Sequence, residues 1–378
     1  LYDVTEAASY PVTYLSGVPA GGWTHVHKTT KLVLRKIPAG TFVMGSPVGE
    51  FRHDADETQH TVSLTEDFYI GVFEVTQRQW ELVMGSRPSW FNNATYYATR
   101  PVESVSYYDI RENPANSAIS PNWPQSAQAH ANSFIGKVRA KTGLPAFDLP
   151  TEAQWEYACR AGTTTALNSG KNVTGSEGCP NIDEVGRYQY NGGYVNGTDA
   201  PAADCTTANG TAKVGSYMPN AWGLYDMHGN IWERCLDWYG DFGGTVSDPS
   251  GPASGSFRIR RGGCYQNDVF RSANRGTSTP DERAKGTGFR AVSMQVVACT
   301  VTFDAQGGSV PVPSSKTVTK GAAYGTLATT ARAGYVFAGW YTAAGGGGSL
   351  VSAATTVTAA ASHTLYAKWT ANNSYTVT

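Results

Sequence analysis

Six cysteines carry the most reactive side chains of this 378-residue chain: Cys159, Cys179, Cys205, Cys235, Cys264 and Cys299. No two of them have the CxxC spacing of a zinc site, and their even number permits disulfides. Cys264 follows Arg260 and Arg261, and a nearby guanidinium can lower a thiol pKa enough to make the sulfur a nucleophile. The alternative, which we favour, is structural: Cys264 forms a disulfide, with Cys235 for example, or is buried as a small hydrophobe.

The composition predicts that these side chains are carried by short elements and many loops. Charged residues make up 16% of the chain, below the roughly 25% of ordinary globular proteins, while there are 42 glycines and 12% aromatics. A net charge of -1 gives no general attraction for nucleic acid or anionic membranes. No run of about 18 apolar residues is present that would span a membrane.

Local signals predict a strand over residues 32–38 and three helices. Two helices begin at a capping box and end at a glycine: Thr76 with Gln79 and Gly85, and Thr151 with Gln154 and Gly162. The third ends at Gly143 and has one apolar face: Ala127, Ala131, Phe134, Ile135 and Val138. Cys179 and Cys205 flank a turn-rich insertion, and we expect a disulfide to close it.

The composition changes at about residue 299, where β-prone aromatic runs divided by Gly, Ser and Ala clusters begin. Because this length exceeds what one core usually supports, we expect two domains. The expected division is an N-terminal extension, a large α+β domain, a small β module and a tail: residues 1–29, 30–298, 299–371 and 372–378.

Several segments of the large domain, in order, resemble the formylglycine-generating enzyme (sulfatase-modifying factor) family: IPAGTFVMGS, RPVESVSYYD, LPTEAQWEYACRAG, NAWGLYDMHGNIWERC and RRGGCYQNDVFRSANRG. The resemblance implies an α+β, loop-rich fold related to C-type lectins. Within the tail module, GYVFAGWYT and TLYAKWT resemble the Listeria-Bacteroides (internalin B-type) repeat, which implies a small β-grasp-like module of bacterial surface proteins.

The family's oxidases hold copper(I) between two cysteines five residues apart, because soft thiolates suit that ion. Here Asn267 stands where the first would fall, the segment is a couple of residues shorter than usual, and no second cysteine follows. Copper is therefore not expected. Cys264 takes the place of the family's active-site serine, and the family's disulfide partner of Cys159 is here Ser272.

The resemblance also implies calcium. Asp226 and Glu233 would contribute side chains, and Gly229 and Ile231 backbone carbonyls, to an ion that needs six to eight oxygens. The plainer alternative is a Gly-Asn turn with incidental acids. A second family site would begin at Asn181 and Ile182. The seven histidines are dispersed and form no HxxxH motif, and the single HxH, at His25 and His27, is remote in sequence, so we expect His228 to be a turn residue.

We therefore predict a non-catalytic, extracellular or cell-surface bacterial protein that binds an unknown protein or glycan, and no nucleic acid. Its ligand site is expected at four residues: Trp232, Tyr265, Asn267 and Asp268. The nearby arginines are expected to be structural, since guanidinium groups satisfy carbonyls and carboxylates that loops leave unpaired. The alternatives are a sulfatase-modifying oxidase, another thiol-based enzyme that uses Cys264, or an adhesin segment in which the tail module is a spacer.

Overall fold

A computed structural model of the chain describes residues 10–13, 15–116, 123–175, 177–194, 210–294, 298–320, 323–359 and 361–372. The chain divides into two compact units, Leu1–Gln295 and Val296–Thr378. The architecture is α+β and rich in loops, as the composition predicted. None of the helices in these ranges has the length and apolar character needed to cross a membrane.

The larger unit contains six short helices: α1 His25–Thr29, α2 Gln77–Met84, α3 Tyr107–Ile110, α4 Phe134–Thr142, α5 Glu152–Arg160 and α6 Pro180–Asp183. Single 3-10 turns lie at Ala55–Glu57, Tyr97–Thr99 and Gln189–Asn191. Its strands are β1 Leu34–Ile37, β2 Gly40–Met44, β3 His60–Leu64, β4 Phe68–Gly71, β5 Phe147–Asp148, β6 Gly186–Arg187, β7 His228–Gly229, β8 Trp232–Trp238, β9 Val246–Ser247, β10 Arg258–Arg261, β11 Arg275–Ser278, β12 Thr287–Gly288 and β13 Val292–Met294.

Two four-stranded sheets organise the larger unit, in the orders β1-β4-β13-β5 and β11-β10-β8-β12. Every residue of β8 is buried, so this strand forms the centre of the second sheet. β10 pairs with it in an antiparallel manner and β12 in a parallel manner. The segment that contains RRGGCYQNDVFRSANRG thus begins in β10, which pairs with β8, the strand that overlaps the end of the predicted calcium turn.

The two capping boxes predicted from sequence are confirmed. The hydroxyl of Thr76 accepts from the Gln79 N–H at 3.3 Å, and α2 ends at Gly85 with φ 73°. α5 begins in the same way but ends at Ala161, one residue before the predicted glycine. The third helix was predicted too long: its N-cap is Ser133, so Ala127 and Ala131 precede it.

The smaller unit is one five-stranded sheet in the order β15-β14-β18-β16-β17. These strands are β14 Ala298–Asp304, β15 Ser315–Thr319, β16 Tyr335–Tyr341, β17 Leu350–Val351 and β18 His363–Ala371, with a 3-10 turn at Ala344–Gly346. Trp340 and Leu365 are at most 2% exposed in its core, whereas Tyr335 and Phe337 remain partly exposed on β16. The aromatic residues of the tail therefore do build a core.

Candidate functional site

The chain turns sharply after β10. Gly262 and Gly263 have φ values of 94° and 78°, in the left-handed region that favours glycine. A Cβ on Gly263 would lie 2.8 Å from the Cβ of Phe270, so no larger residue fits there without a shift of the buried Phe270. This turn places Cys264 at the start of the loop that holds copper in the family's oxidases.

Asn267 closes the loop onto Cys264. Its side-chain Oδ1 accepts a hydrogen bond from the Cys264 N–H at 2.7 Å, and its own N–H donates to the Cys264 carbonyl at 2.9 Å. The Asn267 carbonyl accepts from the Gln189 N–H at 3.0 Å. Asn267, which the resemblance places at the first copper position, is thus a side chain that holds the turn together.

The Cys264 side chain is buried. It is 5% exposed and packs with Phe91, Trp232 and Tyr265. A Cβ on Gly286 would lie 3.0 Å from its sulfur, so that glycine leaves space for the thiol. The side chain is thus buried, as one of the two structural alternatives expected.

No disulfide connects any two of the five cysteines that the structure describes. The suggested bond between Cys264 and Cys235 is wrong, because Cys235 lies in a different core cluster, with Cys159 and Trp155. The sulfur of Cys159 is 3.7 Å from the hydroxyl of Ser272, its expected neighbour. The predicted Cys179–Cys205 bond involves a residue outside the described ranges.

The predicted ligand residues lie close together but differ in exposure. Tyr265 is fully buried, edge-on to Phe91 with ring centroids 5.1 Å apart, and Trp232 is 9% exposed. Asp268 is at the surface and forms an ion pair with Arg52 at 2.7 Å. The structure thus makes Tyr265 and Trp232 the floor of this surface, and a ligand role for the four residues stays a prediction.

Sequence reasoning missed one exposed aromatic residue beside this floor. Trp90 is 43% exposed, and the Lys285 ammonium lies 4.1 Å from its ring centroid. Trp90 precedes Phe91, which contacts Tyr265, and Lys285 precedes Gly286, which contacts Cys264. The adjacent Trp-Phe pair was the available signal. We call Trp90, Lys285, Trp232 and Cys264 the Cys264 surface.

The buried arginines around this surface are structural, as expected. Arg261 donates to Glu156 and to the carbonyls of Ser272, Ala273 and Asn274. Arg271 binds both carboxylate oxygens of Glu57, at 2.6 and 2.7 Å. These guanidinium groups stabilise both ends of the loop 262–270 from its buried side.

A second group of charged side chains lies beneath the predicted calcium turn. Arg290 donates to both oxygens of Glu233 at 2.5 Å, and one of these oxygens also accepts from Trp155 Nε1 at 2.7 Å. Glu74, which the sequence analysis missed, accepts from the Asn230 amide at 2.6 Å. Its position within the apolar run Val72-Phe73-Glu74-Val75 was a usable signal, since a buried acid usually has a specific partner.

The charges in this group do not balance. Glu74, Asp226 and Glu233 are all at most 2% exposed and act electrostatically on one another. Two cations act on them: Arg290, and the partly buried Lys28, which acts on Asp226. Burial, followed by the neighbouring acids Asp226 and Glu233, raises the pKa of Glu74 well above its usual value. Burial also raises the pKa of Asp226 to about 6. An additional cation here would relieve this repulsion.

The turn itself partly fits such a cation. Asp226 Oδ2 accepts from the Gly215 N–H at 2.5 Å, whereas Oδ1 is buried and has no hydrogen-bond partner. Gly229 has φ 71°, and a Cβ there would lie 2.1 Å from the Arg187 carbonyl oxygen, so only glycine permits the turn. Asp226 is thus available as a ligand, while Glu233 is engaged by Arg290 and Trp155.

The second predicted calcium site begins on α6. The side chain of Asn181 donates to the Asn172 carbonyl at 2.8 Å, and Ile182 is buried. The insertion that would complete the site falls mainly within residues 195–209, outside the described ranges.

His228 is fully buried with a pKa lowered to about 3 by burial, and its Nε2 accepts from the Asn168 N–H at 3.1 Å.

Comparisons with known proteins agree with the sequence resemblance. Residues 24–295 match the family described as sulfatase-modifying factor enzyme 1-like domain, and residues 300–368 match the Listeria-Bacteroides repeat domain. The formylglycine-generating enzyme of Thermomonospora curvata is 31% identical over 301 residues, covering 68% of this chain and 92% of that enzyme. The chaperone protein LppX of Paenibacillus barcinonensis is 34% identical over 217 residues, covering 54% of this chain and 71% of LppX.

A solved structure resembles the larger unit as well. Treponema denticola variable protein 1 superposes with a TM-score of 0.53 at 28% identity, covering 69% of this chain and 95% of that protein. The family match spans well over half of the chain, and its motifs lie on the turn and strands described above. The chain therefore belongs to the family of sulfatase-modifying factor enzyme 1-like domains.

Proposed function

We propose that this protein is a non-catalytic binding protein that uses the Cys264 surface of a formylglycine-generating-enzyme-like scaffold to hold a protein or glycan outside the bacterial cell. The observation that carries the proposal is the hydrogen bond from the Cys264 N–H to the side chain of Asn267. A copper site needs two thiolates at this loop, and here one position holds an amide that closes the turn.

The chemistry of the Cys264 surface supports binding. A partly exposed tryptophan with an ammonium group 4.1 Å from its ring centroid offers apolar area and a hydrogen-bond donor side by side, and aromatic residues often dominate binding energy. Trp90 directly precedes Phe91, whose buried ring packs edge-on against Tyr265. The names of two similar proteins, a chaperone and a variable protein, also suit a binding role.

Calcium belongs to this proposal as a structural ion. It would bind Asp226 Oδ1 together with carbonyls of the 226–233 turn, with Glu233 as a further ligand once its contact with Arg290 loosens. The support is an excess of buried carboxylates and one orphaned carboxylate oxygen. A relationship to C-type lectins, a β-grasp-like tail module and a cell-surface location complete the proposal, and the match to a Listeria-Bacteroides repeat favours the last of these.

The test is a screen of the purified protein against a glycan array and a panel of extracellular proteins, repeated with Trp90→Ala. We expect any specific ligand to lose at least about tenfold in affinity. The matched control is Phe257→Ala, which removes an exposed aromatic ring that is 46% exposed elsewhere on the same unit. Equal losses in the two variants, or none in Trp90→Ala, would place binding elsewhere.

A further inference from the structure

A cavity of about 490 Å³ lies at the carboxyl end of β8. Trp232 of the Cys264 surface begins this strand and Trp238 of the cavity ends it, so the two are six positions, or roughly 20 Å of extended chain, apart. The cavity is lined by the first residues of α5, by Met44 and His60 at the paired ends of β2 and β3, and by the loop 240–252. Its volume lies within the range of small-molecule pockets.

Asp237 is the buried charged group of this cavity that has no counter-ion. It is 3% exposed, and one of its oxygens accepts from the Glu152 N–H at 2.7 Å. Among the described residues, none forms an ion pair with it. The positive charge of Arg258 does act on Asp237. However, that guanidinium contacts other groups: it lies 3.5 Å from the Glu112 carboxylate and 3.5 Å from the Trp238 ring centroid.

The one arginine that lines the cavity is already neutralised. Arg275 donates to the two oxygens of Glu152 at 2.8 and 2.9 Å, and it lies 3.6 Å from the Asp56 carboxylate. Four carboxylates and this single guanidinium therefore line the space, with Asp241 and Asp248 at the rim. The cavity is acidic, and its deepest unpaired carboxylate belongs to Asp237.

The remaining walls select among cations. Met44, Val246 and Pro252 offer apolar contacts, which suit an aliphatic stem. The Phe242 ring already contacts the Arg275 guanidinium, 4.0 Å from its centroid, and the His60 ring, 4.5 Å between centroids. Trp238 Nε1, in the same wall, is buried without a hydrogen-bond partner among the described atoms and would suit an oxygen acceptor on the ligand.

We propose that this cavity binds an organic cation, an ammonium or guanidinium group on an apolar stem, with its charge at Asp237. A buried carboxylate is stabilised by a cation that both pairs and hydrogen-bonds with it. A lysine or arginine side chain of a peptide and a free alkylamine share this chemistry. The site goes beyond the proposed function, because no residue of the Cys264 surface contributes to it.

The test is a calorimetric titration of the full chain at pH 8 with Nα-acetyl-lysine methylamide, its arginine analogue and n-butylamine. The neutral isostere Nα-acetyl-norleucine methylamide is the ligand control. We expect the lysine and arginine probes to bind at least about tenfold more tightly than the norleucine probe. Binding of n-butylamine as tight as that of the lysine probe would identify a free amine as the ligand, whereas weaker binding would identify a peptide side chain.

Asp237→Asn keeps an acceptor for the Glu152 N–H and should lose that preference. Val246→Phe, which narrows the cavity at a partly exposed position, should weaken binding of every probe. Cys264→Ser should leave binding unchanged, so the outcome is independent of the Cys264 surface. Equal affinity for the lysine and norleucine probes, unchanged selectivity in Asp237→Asn, or displacement of the lysine probe by equimolar CaCl₂ would overturn the proposal.

Discussion

The Oδ1 atom of Asn267 lies 2.7 Å from the backbone nitrogen of Cys264, whose N–H it accepts as a hydrogen bond. This pair joins the residue at the first copper position to the residue at the serine position of the family. The asparagine therefore has a structural role at a position where the oxidases have a reactive cysteine.

Replacing Asn267 with alanine should lower the free energy of unfolding by about 1–3 kcal/mol, because the Cys264 N–H would lose its acceptor in a partly buried loop. Asp268→Ala is the matched control, since it removes only an exposed ion pair worth less than about 1 kcal/mol. Denaturant unfolding measures both. Equal effects would show that Asn267 does not hold the turn.

Arg290→Met should destabilise the larger unit by about 3–5 kcal/mol, because it leaves the buried carboxylate of Glu233 without its cation. Arg283→Met, in an exposed pair with Asp109, should cost less than about 1 kcal/mol. Urea unfolding at pH 7 compares the two variants. A cost below about 1 kcal/mol for Arg290→Met would contradict the charge arrangement described for this group.

His228 should make the larger unit less stable in acid. Burial lowers its pKa from 6.5 to about 3, so its contribution is fully present above pH 6.5 and is lost as pH falls towards 3. The loss approaches about 1.4 kcal/mol per pH unit for one proton. In His228→Gln, whose amide oxygen can accept from Asn168, the free energy of unfolding should fall less steeply between pH 7 and pH 4. Identical slopes would contradict the lowered pKa.

The sequence predicted features that depend on neighbouring residues. The capping boxes at Thr76 and Thr151 are local hydrogen-bond patterns, and both helices begin where expected. The start of α4 was missed because Ala127 has helical spacing, whereas Ser133 provides the actual N-cap. Apolar periodicity alone did not reveal that choice.

Contacts between distant segments were not predictable in this way. The exposed Trp90 joins the Cys264 surface only because Phe91 packs on Tyr265, 174 positions further along the chain. The absence of an ion pair at Asp237, among the described residues, was likewise not predictable. Its position in β8 does not show that Arg275, which lines the same cavity, pairs with Glu152 rather than with Asp237. Motif matching located the turn at Asp226 but not Glu74, which approaches from the loop between β4 and α2.

Calcium should stabilise the larger unit. At 100 times its dissociation constant, an ion that binds only the folded state adds about 2.7 kcal/mol, which thermal unfolding in CaCl₂ and in EGTA would detect. Asp226→Asn should reduce this calcium-dependent shift in thermal unfolding. Asp241→Asn, at the rim of the cavity at the end of β8, should leave the shift unchanged. Because the pKa of Asp226 is raised to about 6, the ion should bind more tightly at pH 7.5 than at pH 5. Identical unfolding in CaCl₂ and EGTA would contradict the site.

The most direct measurement of the central claim is oxidation of a cysteine-containing sulfatase peptide by the full chain with added copper, followed by mass spectrometry. The formylglycine-generating enzyme of Thermomonospora curvata is the positive control. We predict no formylglycine above the level that copper alone produces. Catalytic formation of formylglycine by the wild-type chain, abolished in Cys264→Ala, would contradict the account.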